Sequence, residues 1–102
     1  MKKFDLKLSK RKIVEFCKRN HIRSLSLFGS ILHNDFSRSS DIDVLVEFEI
    51  GYVPGFFNLI KMEEELSSMF GGQKVDLRTP NDLSRYFRDD VLAEAEAVYI
   101  ES

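Results

Sequence analysis

The sequence predicts a small domain of the α/β (α+β) class, in which helices and strands alternate along the chain. Hydrophobic and polar residues alternate along residues 42–50, as in a strand with one buried face. Apolar residues recur at helical spacing along residues 9–20 and 56–70, before and after that strand. This alternation of helix and strand is typical of the class. Because 102 residues are enough for one core, we expect residues 1–102 to form a single domain.

The first helix is predicted over residues 9–20. Ser9 is a suitable N-cap, and Leu8 before it can contact Ile13 one turn later. Ile13 and Cys17 lie on the same apolar face, so we expect Cys17 to be a core residue.

Two strands are predicted after this helix. Residues 24–28 form a short strand that leads directly into a Gly-Ser turn. Residues 31–40 form a connector with one helical turn and a polar loop, and residues 42–50 form the longest strand. One face of the long strand carries Ile42, Val44, Val46, Phe48 and Ile50, and the other carries Asp43, Leu45, Glu47 and Glu49.

The second half of the chain begins with a long predicted helix, residues 56–70, which ends at a Gly-Gly pair. Its apolar stripe is Leu59, Met62, Leu66 and Met69. Residues 74–78 predict a third strand, residues 80–95 one or two short helices, and residues 97–100 an edge strand. The short helices should pack through Leu83, Phe87, Val91 and Leu92. We also expect Tyr86 and Tyr99 to be packing residues.

Charge is divided unevenly along the chain. Residues 1–38 contain ten Lys and Arg against three Asp and Glu, a net charge of +7. Residues 39–102 contain five against fourteen, a net charge of −9. The charged sides of the predicted first helix carry no interleaved aromatic residues, and the acidic part of the chain would repel a phosphate backbone. Nucleic acid is therefore not an expected partner.

Cysteine content and hydropathy indicate the compartment. A single cysteine allows no internal disulfide, and no apolar run reaches the length of a membrane span. The basic residues at the start are not followed by the apolar segment of a signal peptide. We expect a soluble, cytoplasmic protein that is not bound to a membrane.

A candidate site is predicted where the first strand ends and the long strand begins. Asp41 and Asp43 are two residues apart, so on a strand both carboxylates point to the same side. Their mutual repulsion favours a bound cation, and oxygen ligands suit Mg²⁺ or Mn²⁺. Gly29 allows a phosphate to approach the backbone, and Ser30 adds a hydroxyl donor. Metal ions beside an anion site are the arrangement used for phosphoryl or nucleotidyl transfer.

Asp76 is the candidate for a third carboxylate. It lies on the polar side of the predicted strand 74–78, which could run beside the long strand. It could bridge two metal ions or accept a proton from an attacking hydroxyl. Taken alone, an aspartate in this position is usually a solvated surface residue.

These residues resemble a known family. Gly29-Ser30, ten residues and then Asp41-Ile42-Asp43 form the signature of the DNA polymerase β-like nucleotidyltransferase superfamily, and the chain resembles its minimal (MNT) branch over roughly residues 10–100. The resemblance implies the polymerase β-like fold, a small mixed sheet with helices packed on it. It implies ATP as substrate and Mg²⁺, two ions, as cofactor. It implies that Gly29 and Ser30 hold the triphosphate. It implies that Asp41 and Asp43 bind metal, with Asp76 completing the catalytic set.

The resemblance also implies a partner. Minimal proteins of this branch pair with a separate HEPN-domain protein, an RNase-like toxin, in MntA/HepT-type toxin–antitoxin modules. The characterised members are antitoxins that transfer AMP from ATP onto a tyrosine of that toxin. Nothing in this sequence resembles a HEPN domain, so the expected partner is another chain in complex with this one. The alternative is an antitoxin with a weak or inactive site that neutralises the toxin by binding alone.

His33 motivates that alternative. The branch usually has Arg at this position, whose permanent charge binds phosphate, and often an acidic residue at the position of Asn34. A histidine is mostly neutral at pH 7. His33 is therefore either a nucleotide-binding residue with reduced charge or an exposed loop residue.

Three other features have simpler interpretations. His21 is a helix-end residue. Residues 63–65 are three glutamates on a solvated helix face, which could meet a basic partner. Tyr52, Phe56 and Phe57 could form an exposed apolar loop that contacts the partner.

Overall fold

The structure is a computed structural model that describes residues 10–33, 37 and 39–101. In chain order its elements are α1 (Lys10–Arg19), β1 (Ile22–Phe28), β2 (Ile42–Phe48), α2 (Phe56–Met69), β3 (Val75–Arg78), α3 (Arg88–Glu94) and β4 (Glu96–Ile100). Short 3₁₀-helices follow β1 at Gly29–Leu32 and β3 at Pro80–Asp82. The predicted class, a small mixed sheet with helices packed on it, is confirmed. Ser9, Leu8 and Asn34 lie outside the described residues.

The four strands form one sheet in the order β3-β2-β1-β4. β1 is antiparallel to both β2 and β4, whereas β2 and β3 are parallel and are connected through α2. In this arrangement Phe28, at the end of β1, pairs with Asp43, near the start of β2. Asp43 in turn pairs with Asp76 at the start of β3. Three segments with predicted site residues therefore meet at one end of the sheet.

The core lies between α1, α2 and one face of the sheet. α1 contributes Phe16 and Cys17, and α2 contributes Met62 and Leu66, all of which are buried. Leu59 and Met69 pack against the same core, so the predicted stripe of α2 is confirmed. Burial raises the pKa of the Cys17 thiol to about 12, because the thiolate would lose its hydration, and Cys17 is a core residue as predicted.

Two strand boundaries differ from the prediction by two residues, whereas β3 and β4 each begin within one residue of it. β1 begins at Ile22, two residues early, because buried Ile22 pairs with Phe48. β2 ends at Phe48, and Ile50 is 94% exposed, so its placement on the apolar face is wrong. The chain turns there: Tyr52 donates its backbone N–H to the Glu49 carbonyl, and the alternating pattern of β2 no longer applies.

The predicted packing of residues 80–95 is only partly correct. Leu83 and Val91 are half-buried, whereas Phe87 and Leu92 are exposed. Tyr99 packs against the core as expected. Tyr86 is 76% exposed, so the prediction that it packs is wrong; it lies under the guanidinium of Arg85 instead.

The glutamates of α2 are not simply a solvated face. Glu63 accepts a hydrogen bond from the backbone N–H of Leu77 (2.8 Å), at the outer edge of β3. Glu65 pairs with Arg19 of α1 (2.5 Å). Two of the three carboxylates therefore stabilise the domain itself. Phe56 and Phe57, in contrast, are exposed as expected, at the start of α2. His21 follows α1 as expected, with a positive φ of 57°.

In the part of the chain that the structure describes, no helix has the length and apolar composition needed to cross a membrane.

Candidate active site

The turn after β1 packs directly against the start of β2. Gly29 has a φ of +77°, a conformation that L side chains rarely adopt. A β-carbon built on Gly29 would lie 3.1 Å from Cγ of Asp43 and would overlap one of its carboxylate oxygens. Glycine is therefore required for two reasons, and its backbone lies beside the Asp43 carboxylate.

The predicted carboxylates are brought together by the parallel β2–β3 pair. Asp43 and Asp76 are register partners, so their side chains project from the same face of adjacent strands. Asp41 directly precedes β2 and is exposed. The pKa of Asp43 is raised, mainly by burial and further by the negative charges of Asp76 and Asp41. The positive charge of Arg78 lowers it in part.

Arg78 is a site residue that the sequence analysis missed. Its Nε and Nη2 donate to the two carboxylate oxygens of Asp76 at 3.2 and 3.1 Å. This bidentate geometry fixes the orientation of the Asp76 carboxylate. Asp76 and Arg78 are two residues apart on a strand, and that spacing was a usable signal because it places both side chains on one face. A second cation, Lys74, lies 4.0 Å from Asp41 (Nζ to Oδ2).

The remaining predicted residues lie in the 3₁₀-helix after β1. Ser30 is half-buried, directly after Gly29. His33 ends the helix and donates its backbone N–H to the Ser30 carbonyl at 2.9 Å. The His33 side chain is exposed, and its part in nucleotide binding stays a prediction.

The arrangement fits a divalent cation that also binds a nucleotide. Within residues 10–33, 37 and 39–101, no group of three or more acidic, histidine or cysteine side chains is arranged so that it could hold a metal ion. Mg²⁺ does not need one, because it commonly uses one or two carboxylates together with phosphate oxygens and water. Asp43 and Asp76 supply a close, mutually repelling pair on an open sheet face, and a cation would relieve that repulsion. The missing ligands would come from a phosphate chain beside Gly29.

Curated relatives are named as enzymes of one kind. A protein of Methanocaldococcus jannaschii, provisionally named a protein adenylyltransferase, is 35% identical over 86 residues, which are 84% of this chain and 89% of that protein. The protein adenylyltransferase MntA of Thermococcus cleftensis is 33% identical over 86 residues, 84% of this chain and 82% of that protein.

A solved structure has the same fold. It is a crystal structure of a toxin–antitoxin with AMP-PNP, and its TM-score is 0.70 at 22% identity, over 93% of this chain and 76% of that one. Residues 11–102 match the family described as polymerase beta, nucleotidyltransferase. The predicted enzyme class, nucleotidyltransferase, is confirmed by this family and by the relatives. The chain therefore belongs to the polymerase β nucleotidyltransferase family.

Proposed function

We propose that this chain is the antitoxin of a toxin–antitoxin pair and transfers AMP from ATP to a tyrosine of a HEPN-domain toxin. The observation that carries the proposal is the pairing of Asp43 with Asp76 beside the Gly29 turn. The similarity to protein adenylyltransferases supports the reaction. The similarity in fold to a toxin–antitoxin structure with AMP-PNP supports the kind of partner and the nucleotide.

Each site residue has a proposed role. Gly29 and Ser30 hold the triphosphate through backbone N–H groups and a hydroxyl, and His33 borders the same turn. Asp41, Asp43 and Asp76 hold Mg²⁺, and the proposed number of ions is two. When bound, Mg²⁺ neutralises phosphate charge and the charge that develops on the leaving group.

Asp76 is the proposed proton acceptor. It takes the proton of the tyrosine hydroxyl, whose oxygen then attacks the α-phosphorus of ATP. The bond from that phosphorus to the bridging oxygen breaks, pyrophosphate leaves, and the tyrosine carries AMP through a phosphodiester. Arg78 orients Asp76 for this step, because it donates to both carboxylate oxygens.

A binding-only antitoxin is the second candidate. Both oxygens of Asp76 are already occupied by Arg78, and Asp41 has Lys74 nearby, so cations of the protein itself partly neutralise the carboxylates. In this alternative the chain neutralises the toxin by covering it, and the site binds a nucleotide without turnover.

Co-expression with the HEPN-domain protein separates the two candidates. We expect the toxin to gain the mass of one or more AMP groups on tyrosine, with ATP and Mg²⁺ required in the purified reaction. The double variant Asp41→Asn, Asp43→Asn should abolish this gain. The matched control, Asp89→Asn with Asp90→Asn, removes two exposed carboxylates from α3 and should leave it unchanged.

Two results would contradict the proposal, the first for the assigned carboxylates and the second for the activity itself. One is labelled AMP on the toxin with the double variant. The other is an unmodified toxin in a tight complex with the wild-type chain, which would favour the binding-only antitoxin.

A further inference from the structure

One side chain connects the two segments that enter the candidate site. Gln73 lies in the turn between α2 and β3, three residues before Asp76. Its Nε2 donates to the carbonyl oxygen of Ser37 at 2.8 Å and to that of Ser40 at 2.7 Å. Ser40 directly precedes Asp41. Gln73 therefore links two segments of the chain, the one before Asp41 and the one before Asp76.

The chemistry of the amide makes this attachment specific. A glutamine amide nitrogen has two hydrogens, and here two carbonyl acceptors use both. The opposite orientation of the amide would turn Oε1 towards two carbonyl oxygens and is excluded by repulsion. Ser37 and Ser40 also close a turn of their own, because Ser40 N–H donates to the Ser37 carbonyl at 3.1 Å.

Gln73 is itself anchored to the fold. Its carbonyl accepts a hydrogen bond from Oγ of Ser67 at 2.7 Å, and Ser67 belongs to α2. The next carbonyl, of Lys74, accepts the N–H of Ile42 at 2.8 Å, where β2 begins. The attachment therefore transmits the position of α2 and β3 to the turn before Asp41.

Asp41 depends on this turn more than Asp43 does. Asp43 lies inside β2 with a strand on each side, whereas Asp41 precedes the strand and is exposed. Lys74 Nζ lies 4.0 Å from its carboxylate, too far for a hydrogen bond. The backbone before Asp41 thus determines where its carboxylate lies.

We infer that Gln73 is a positioning residue that holds Asp41 in reach of the cation bound by Asp43 and Asp76. The inference rests on the proposed function for the metal role of these carboxylates. According to this inference, Gln73 strengthens the binding of the divalent cation and the nucleotide without contacting either.

The test measures Mn²⁺ binding by the full chain in the presence of AMP-PNP, from the electron paramagnetic resonance signal of free Mn²⁺. Gln73→Met keeps the length of the side chain and removes both donors. We expect it to weaken Mn²⁺ binding about tenfold, the order of magnitude for losing two neutral hydrogen bonds. The matched control, Asn20→Ala, removes a part-buried side-chain hydrogen bond to the Phe16 carbonyl, beyond the end of α1, and leaves Gln73 and its contacts in place. We expect its affinity to change by less than about twofold.

A second variant separates geometry from charge. Gln73→Glu has the shape of glutamine but presents acceptors to the two carbonyls, so it should release the turn. Its added negative charge alone would strengthen cation binding. Weaker binding in both Gln73 variants is the expected result, together with faster hydrogen exchange of the Ser40 amide. Circular dichroism verifies that each variant is folded.

Three outcomes would overturn the inference. They are wild-type affinity in Gln73→Met, tighter binding in Gln73→Glu, and an equal loss in Asn20→Ala. A different failure would indicate that the proposed function is wrong: Mn²⁺ binding by the wild-type chain that is absent or that Asp43→Asn leaves unchanged. In that case the carboxylates hold no metal, and Gln73 cannot position Asp41 for metal binding.

Discussion

Gly29 packs against the carboxylate of Asp43 with no room for a β-carbon between them. The turn that follows β1 and the first carboxylate inside β2 are therefore one structural unit. A side chain added at Gly29 must therefore displace the Asp43 carboxylate.

Gly29→Ala should damage the site more than the fold. Its positive φ costs about 1 kcal/mol or more with a side chain present, and the new methyl group must displace Asp43. Gly71→Ala is the matched control, because Gly71 has a φ of +79° and nothing within 4 Å of an added β-carbon. Urea unfolding should show a similar loss of stability in both variants. AMP transfer should fall at least about tenfold in Gly29→Ala alone. Equal activity in the two variants would contradict the proposed packing constraint.

Asp43→Asn should stabilise the fold at pH 7. Because the pKa of Asp43 is raised, the folded chain retains a proton that the unfolded chain has already released. The wild type therefore loses stability as the pH rises from the ordinary carboxyl pKa through the raised one. The variant does not titrate, so its advantage in urea unfolding should be present at pH 7 and absent at pH values below the ordinary carboxyl pKa.

The same variant should lose the response to ligand. Mg²⁺ with AMP-PNP should raise the unfolding temperature of the wild type and leave that of Asp43→Asn nearly unchanged. A variant that is less stable than the wild type at pH 7 without ligand would contradict the charge argument.

Arg78→Met should lower the turnover rate of AMP transfer about tenfold, because Asp76 loses the bidentate partner that orients it. The pKa of Asp43, followed by carboxyl NMR, should rise further in the variant, because the positive charge of Arg78 lowers it in the wild type. Arg23→Met is the control: it removes an exposed ion pair with Glu47 at the far end of the sheet. An unchanged Asp43 titration in Arg78→Met would show that the guanidinium has no effect on the carboxylates.

Glu63→Ala should destabilise the domain by about 1 kcal/mol, because the outward N–H of Leu77 loses its acceptor at the edge of β3. Glu64→Ala, one residue along the same helix and exposed, should change the free energy of unfolding by less than about 0.5 kcal/mol. Urea denaturation of both variants is the measurement. A larger effect at Glu64 would mean that net charge on α2, not this hydrogen bond, is responsible.

The sequence predicted the elements that have a strong local period. The alternation along β2 and the helical stripe of α2 depend on which side of an element faces the core, and this is visible in one segment at a time. The prediction was wrong at Ile50, because the strand ends before it and the side chain is exposed. It was also wrong at Tyr86, whose ring does not contact the core and is exposed. Burial at the end of an element depends on what packs there, and a local pattern does not contain that information.

For the site, the sequence supplied the residue types and their order. It indicated Gly29, Asp41, Asp43 and Asp76 as candidates. The turn glycine, the two aspartates two residues apart and the aspartate on the polar side of a strand can each be recognised within one short segment. Their meeting was decided by the parallel β2–β3 pair, which sets Asp43 against Asp76 across 33 positions of sequence. Arg78, Glu63 and Gln73 acquired their roles only in three dimensions, because each acts through a hydrogen bond that exists only once the sheet has formed.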